Sequence, residues 1–219
     1  MLVIGHRGAS GFEPENTIRS LKKAIEHGVK MVELDIRVTR DGELVLFHDR
    51  TLKRLFDDGQ AIAKSTLAEL RAISRYRLIP TLDEALAAID VDVNIEIKVQ
   101  GIEQKVLNKI KNFPHRVLIS SFYPGVLKKI RALDGKVHLG LIIPVRKFYF
   151  LPIMMQLTRN LQLYSIHPRN LFVTDQVVKY LRKFAKNIYV WTVNSEKELK
   201  RMKKIGVDGI FTDYPGLIK

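Results

Sequence analysis

Eight short apolar runs, rich in Val and Ile, recur along this 219-residue chain, and most of the intervals between them carry apolar residues at helical spacing. The runs cover residues 2–4, 31–36, 93–97, 117–120, 139–143, 163–166, 188–192 and 209–212. Helical patterns fill 17–27, 101–112, 124–133, 174–186 and 196–205. The first follows a capping-type Asn16 and stops before Gly28, and the last stops before Gly206. Strand and helix in strict alternation predict a parallel sheet with right-handed crossovers. An open doubly wound sheet lacks its signature, since no G-x-G-x-x-G follows the first run. The count of eight fits a closed α/β architecture, a (β/α)8 TIM barrel. Of the two longer intervals, 37–92 and 144–162, the first includes residues 43–47, which alternate like a small extra strand before His48. A small insertion after strand two is therefore expected. No linker or low-complexity tract interrupts the pattern, and residues 1–219 read as one domain.

Composition narrows the chemistry. The chain has no cysteine, which excludes disulfides, thiolate zinc sites and cysteine nucleophiles. The opening MLVIGHRGAS reads as neither a signal peptide nor a membrane span, and the apolar stretch 148–155 is short and broken by Pro152. A cytoplasmic protein is the expectation. The net charge of +14 is uneven: residues 1–100 hold 15 Lys/Arg against 16 Asp/Glu, and residues 101–219 hold 22 against 7. Such a basic half attracts phosphates, nucleic acid or anionic headgroups, or simply solubilises helix faces.

A barrel presents its working groups at the C-terminal ends of its strands. Those ends carry His6-Arg7-Gly8, then Glu33 and Asp35, then His48-Asp49 after the extra strand, then Glu96 with Lys98, and later Trp191. Glu33 and Asp35 are two apart and share one face of a strand. If that face is the interior, their charges need a partner. Three carboxylates at one mouth suit a hard cation with oxygen ligands; facing outward, or pairing with Arg37 and Lys98, is the alternative. His6 and His48 titrate near neutral pH and suit a base and an acid. His27, His115 and His138 look incidental, while His167 follows strand six at the working end.

The ordered set His6-Arg7-Gly8-Ala9, Pro14-Glu15-Asn16-Thr17, Glu33-Leu34-Asp35, Asp41-Gly42, His48-Asp49, Pro80-Thr81-Leu82, Glu96-Ile97-Lys98, Trp191-Thr192-Val193-Asn194 and Gly206-Val207-Asp208-Gly209-Ile210-Phe211-Thr212-Asp213 resembles the glycerophosphodiester phosphodiesterase family nearly end to end. The resemblance implies a divalent cation, Mg²⁺ or Ca²⁺ with Mn²⁺ also admitted, held by Glu33, Asp35 and Glu96. It implies His6 and His48 as the catalytic pair, Arg7 and Lys98 on the phosphate, and Glu15 supporting the site from behind. Trp191 would wall the glycerol unit, or else fill a barrel layer. The implied reaction hydrolyses a glycerophosphodiester to glycerol phosphate and an alcohol through a cyclic phosphate. His6 would serve as base and His48 as acid, with the reverse order open. The insertion departs from many relatives at Leu52-Lys53-Arg54-Leu55-Phe56-Asp57, where they have an Arg-Thr-Thr-type stretch.

Two other readings stand beside this one. A phosphodiesterase of the same barrel type could act on lysophospholipids or inositol phospholipids. A catalytically silent barrel could bind nucleic acid through its basic half, although a pure binder has no need to bury carboxylates. Residues 145–155 combine Arg146 and Lys147 with a continuous apolar run, which reads either as the ordinary outer helix after strand five, packed on the barrel, or as a partly exposed stretch lining the site entry and touching an acyl chain, a lipid surface or a second subunit.

Overall fold

The structure, a computed structural model, describes residues 1–72, 79–144 and 151–216. Its strands in chain order are β1 (Leu2–Gly5), β2 (Met31–Val38), β3 (Leu44–Leu46), β4 (Asp92–Ile97), β5 (Val117–Ser121), β6 (His138–Ile142), β7 (Leu163–His167), β8 (Ala185–Val190) and β9 (Gly209–Thr212). Eight of them run parallel in a ring that closes where β1 pairs with both β2 and β9. β3 lies outside the ring, antiparallel to β2 through Ile36–Leu46 and Val38–Leu44. This is the (β/α)8 barrel expected, with its extra strand after strand two.

Helices α1 (Ile18–Glu26), α2 (Lys53–Phe56), α3 (Leu67–Ala72), α4 (Leu82–Ala87), α5 (Glu103–Ile110), α6 (Pro124–Leu133), α7 (Leu151–Thr158), α8 (Asp175–Leu181) and α9 (Glu196–Ile205), with short 3-10 turns at Ile62–Lys64, Arg159–Leu161 and Asn170–Phe172, complete the described elements. α1 is capped by Thr17, whose Oγ1 accepts from the Ser20 amide. Asn16, expected as the cap, instead sits at φ 56° and turns its side chain inward. α4 starts with a reciprocal capping box between Thr81 and Glu84. α8 ends at Leu181, short of the expected 186, because Ala185 and Asn187 pair with Leu163 and Ser165 of β7. Cross-strand pairing overrides the helical spacing there.

Side-chain parity decides what each face of the barrel holds. On β2, Val32, Leu34 and Ile36 join the apolar layer beneath the helices, with Val93, Ile95 and Ile97 of β4 beside them. The opposite parity points inward. At one level of the interior it gives an apolar cluster of Ile4, Met31, Leu118, Tyr189 and Phe211. Further along the same strands it gives Glu33, Asp35 and Glu96. The insertion builds its own small core from Val45, Phe47, Leu52, Ile62, Leu70 and Ile79.

Residues 145–150 of the apolar stretch singled out above lie outside the described residues. In the remainder, Leu151, Met154, Met155 and Thr158 are buried while Ile153 and Leu157 are exposed. Residues 151–155 therefore begin an outer helix with a buried face, and are not a continuous exposed strip. Among the described residues no helix is long and apolar enough to cross a membrane.

Candidate active site

β1 leads directly to His6, whose amide donates to the Thr212 carbonyl at 2.9 Å. The chain then turns sharply at Arg7 and Gly8, with φ of 52° and 85°. A side chain at Gly8 would meet the Ser20 backbone at 2.4 Å, so glycine is required there. The turn points the Arg7 amide at Glu33, to which it donates at 2.7 Å.

Each histidine of the expected pair is held by a carboxylate through Nδ1. His6 Nδ1 lies 2.6 Å from Asp213 Oδ1, and His48 Nδ1 lies 2.8 Å from Asp49 Oδ1. The Nε2 of each has no hydrogen-bond partner among the described residues. Burial alone would raise the Asp213 carboxyl, but hydrogen bonds from His6, Ser10 and Asn194 bring it down to about 2. His48 is pulled below the ordinary histidine value by burial; Lys98 and Arg7 push the same way, against Asp35 and Asp49.

The three inward carboxylates offer oxygen atoms within 4.8 Å of one another, all buried. Their protonation is forced apart. Burial opposes ionisation of Asp35, but Lys98 at 3.0 Å, Arg7 at 3.2 Å and the Asn16 amide at 2.9 Å hold it ionised, well below the usual range. Burial, with Asp35 and Glu96 nearby, pushes Glu33 well above its ordinary value. Burial also lifts Glu96 to about 7 despite its contact with Lys98. Glu33 Oε1 is buried with no hydrogen bond. A self-repelling trio with an orphaned oxygen is the donor set a divalent cation satisfies, since the cation replaces protons the burial would otherwise retain.

One open cavity is lined by His6, Arg7, Glu33, His48, Glu96, Lys98 and Trp191, so most of the expected site residues face a common space. Asp35 lies beneath it, tied to Asn16 by two hydrogen bonds. Glu15 stands at the edge, accepting from Arg7 at 3.0 Å and from Arg54. Trp191 donates from Nε1 to the His167 carbonyl, meets Phe122 edge-on at 5.9 Å and packs partly on the interior cluster. It is at once cavity wall and layer residue. Of the two cations weighed as partners of the carboxylates, Lys98 does pair with them, whereas Arg37 donates to the His48 carbonyl.

His27, His115 and His138 pack against Phe12, Phe113 and Tyr164, away from the cavity. His167 reaches the cavity but bonds Ser165 Oγ at 2.7 Å, and burial drops it to about 3, so it stays neutral. Sequence reasoning gave no role to Asp213, Asp49, Arg54, Asn94 or Phe122. Asp213 and Asp49 were within reach, as unassigned members of the motifs that carry the resemblance.

Residues 6–217 match the model of the glycerophosphoryl diester phosphodiesterase family. A glycerophosphodiester phosphodiesterase of Caldanaerobacter subterraneus is 35% identical over 98% of this chain and 94% of its own length. Among solved structures, the Thermotoga maritima glycerophosphodiester phosphodiesterase superposes with a TM-score of 0.88 at 32% identity, covering 99% of this chain and 96% of that one. An Oleispira antarctica phosphodiesterase in complex with the product sn-glycerol-3-phosphate gives 0.85 at 30% identity, covering 99% and 94%. Matched over nearly its whole length by model, sequence and fold, the chain belongs to the glycerophosphoryl diester phosphodiesterase family and is an enzyme of that class.

Proposed function

We propose that the chain hydrolyses glycerophosphodiesters to glycerol phosphate and an alcohol by acid–base chemistry between His6 and His48, with a divalent cation held by Glu33, Asp35 and Glu96. The observation that carries this reading is the pair of imidazoles facing one cavity, each oriented through Nδ1 by its own carboxylate and each with Nε2 unpartnered among the described residues. The product found with the Oleispira antarctica relative supports glycerol phosphate as the product here.

His6 Nε2 takes the proton of the glycerol 2-hydroxyl as its oxygen attacks phosphorus, and Asp213 stabilises the imidazolium that forms. His48 gives its proton to the departing alcohol oxygen as that P–O bond breaks, leaving a cyclic phosphate. Water then opens the ring with the roles reversed, which restores both histidines. An intramolecular hydroxyl makes the first step fast because it is already in place. Arg7 and Lys98 hold the phosphoryl oxygens, and their charge counts most where the anion develops. When bound, the cation would supply Lewis-acid charge to phosphoryl and hydroxyl oxygens.

The test is turnover of glycerophosphocholine followed by ³¹P NMR, with and without chelator. Glycerol phosphate should accumulate only when Mg²⁺, Ca²⁺ or Mn²⁺ is present, with a transient cyclic phosphate. Full activity in metal-free buffer would overturn the carboxylate site. Faster turnover of lysophospholipids than of glycerophosphocholine would replace the substrate.

A further inference from the structure

A second, open cavity adjoins the catalytic one and shares His48, Lys98 and Phe122 as walls. Its other side is formed by Arg37, Arg50, Tyr123 and Pro144, with Asp49, already held by His48 and Arg54, at its edge. Arg37 is the next inward position on β2 after Glu33 and Asp35. Its Nε and Nη2 donate to the His48 carbonyl at 2.9 and 2.6 Å, which leaves three of its five N–H donors without a partner among the described residues. Arg50, two positions after His48, is exposed; its carbonyl accepts from the Ile62 amide at 3.2 Å, and its guanidinium makes no hydrogen bond or ion pair among the described residues.

The other cations around the site are neutralised. Arg7 pairs with Glu15 and Asp35, Lys98 with Asp35 and Glu96, and Arg54 with Glu15 and Asp49. Arg37 and Arg50 have no carboxylate at ion-pairing distance among the described residues, and Lys64 extends the same concave surface. Two guanidiniums without an ion-paired carboxylate on one concave surface can bind an anion through charge-assisted hydrogen bonds, Arg37 through the donors that the His48 carbonyl leaves over.

The location gives the site its role. His48 stands between the two cavities, and on the reading above it protonates the departing alcohol, so that alcohol occupies the cavity beyond it. We propose that the Arg37–Arg50 cavity is the leaving-group subsite and receives an alcohol bearing its own phosphate monoester, as on a phosphorylated polyol headgroup. This inference rests on the proposed hydrolysis and on the acid role of His48. A cationic alcohol such as choline meets two unneutralised positive charges there.

Three substrates test it: glycerophosphoinositol 4-phosphate, glycerophosphoinositol and glycerophosphocholine. The first two differ only in the added phosphate. The wild-type enzyme should prefer the phosphorylated member by about tenfold or more in kcat/KM, the scale of one charge-assisted contact. Arg50→Gln should bring that ratio close to one, Arg50→Lys should keep most of it, and added salt should shrink it. A wild-type ratio of one or below, or an Arg50→Gln ratio equal to the wild-type ratio, overturns the subsite while leaving the hydrolysis intact. Absence of turnover on all three substrates by the folded, metal-loaded enzyme overturns the hydrolysis, and the subsite with it.

Discussion

Asp213 Oδ1 lies 2.6 Å from His6 Nδ1, although 207 positions separate the two residues. The contact exists because β9 closes the barrel against β1, register-matched from Leu2–Gly209 to Gly5–Thr212. The histidine after the first strand and the carboxylate after the last thereby form one hydrogen-bonded pair. Asp213→Asn should lower kcat/KM by on the order of 10²-fold, as should His6→Ala and His48→Ala. The double change of Asp213 and His6 should cost little more than either alone, and steady-state kinetics on the three variants checks this non-additivity.

The same carboxylate couples stability to acid. Asp213 is depressed in the fold to about 2 from an ordinary value near 3.8, so its contribution is complete above about pH 4 and is lost as pH falls toward 2. With partial exposure discounted, that contribution is on the order of 1–2 kcal/mol. Urea denaturation of wild type and Asp213→Asn should diverge at pH 6 and converge near pH 2. Parallel curves across that range would refute the linkage.

His48 provides a pH signature of catalysis. Burial holds its proton affinity below the ordinary value, so as pH rises through that lowered value the acid form disappears. The alkaline limb of the pH–rate profile should therefore fall below about pH 6.5. Asp49 works in the opposite direction, because its hydrogen bond favours the charged imidazole. Asp49→Asn should shift the limb further toward acid. A shift toward alkali would mean that His48 is not the proton donor.

The carboxylate trio predicts a trade between stability and function. Glu33 is buried, repelled by Asp35 and Glu96, and carries an oxygen without a hydrogen bond. Glu33→Gln should raise the melting temperature of the metal-free protein by a few degrees while abolishing the rise that Mg²⁺ or Ca²⁺ produces in wild type. Scanning calorimetry with and without metal separates the two effects. A metal-induced rise that survives in Glu33→Gln would remove Glu33 from the ligand set.

Asn16 positions Asp35 twice, donating to its Oδ2 and accepting from its amide, from a backbone at φ 56°. Asn16→Gly keeps that backbone accessible and deletes both bonds, so it should destabilise the fold by about 1–3 kcal/mol through the unpaired polar groups around Asp35. Chemical denaturation reads this directly, and a change near zero would show that Asp35 finds other partners.

What was legible in the sequence was mostly local. Glu33 and Asp35 share a face because strand side chains alternate, and Glu96 joins them through the in-register pairing of Asp35 with Glu96 on β4. The barrel followed from the recurrence of short apolar runs. Less legible were contacts that depend on closure or on competing local options. Asp213 reaches His6 only when the ring shuts. Asn16 and Thr17 both suit a helix cap, and only burial of Asp35 shows which of them turned inward. Arg54 lies on the short helix α2, which has too few residues for a periodic signal, and its partners Glu15 and Asp49 come from separate loops.

That last arrangement has a consequence for how sequences of this kind can drift. Glu15 accepts from Arg7 and from Arg54, and Arg54 in turn donates to Asp49, which orients His48. A continuous line of alternating charge thus runs from the first catalytic turn, out across the insertion, and back to the second histidine. Loss of Arg54 alone removes a partner from two carboxylates at once, leaving Glu15 with Arg7 and Asp49 with His48. Change within the insertion is therefore uneven: its composition can drift while a positive charge is kept at position 54 between Glu15 and Asp49. Among homologous sequences, position 54 should keep that charge wherever 15 and 49 are acidic, while its exposed neighbours Lys53 and Leu55 vary freely.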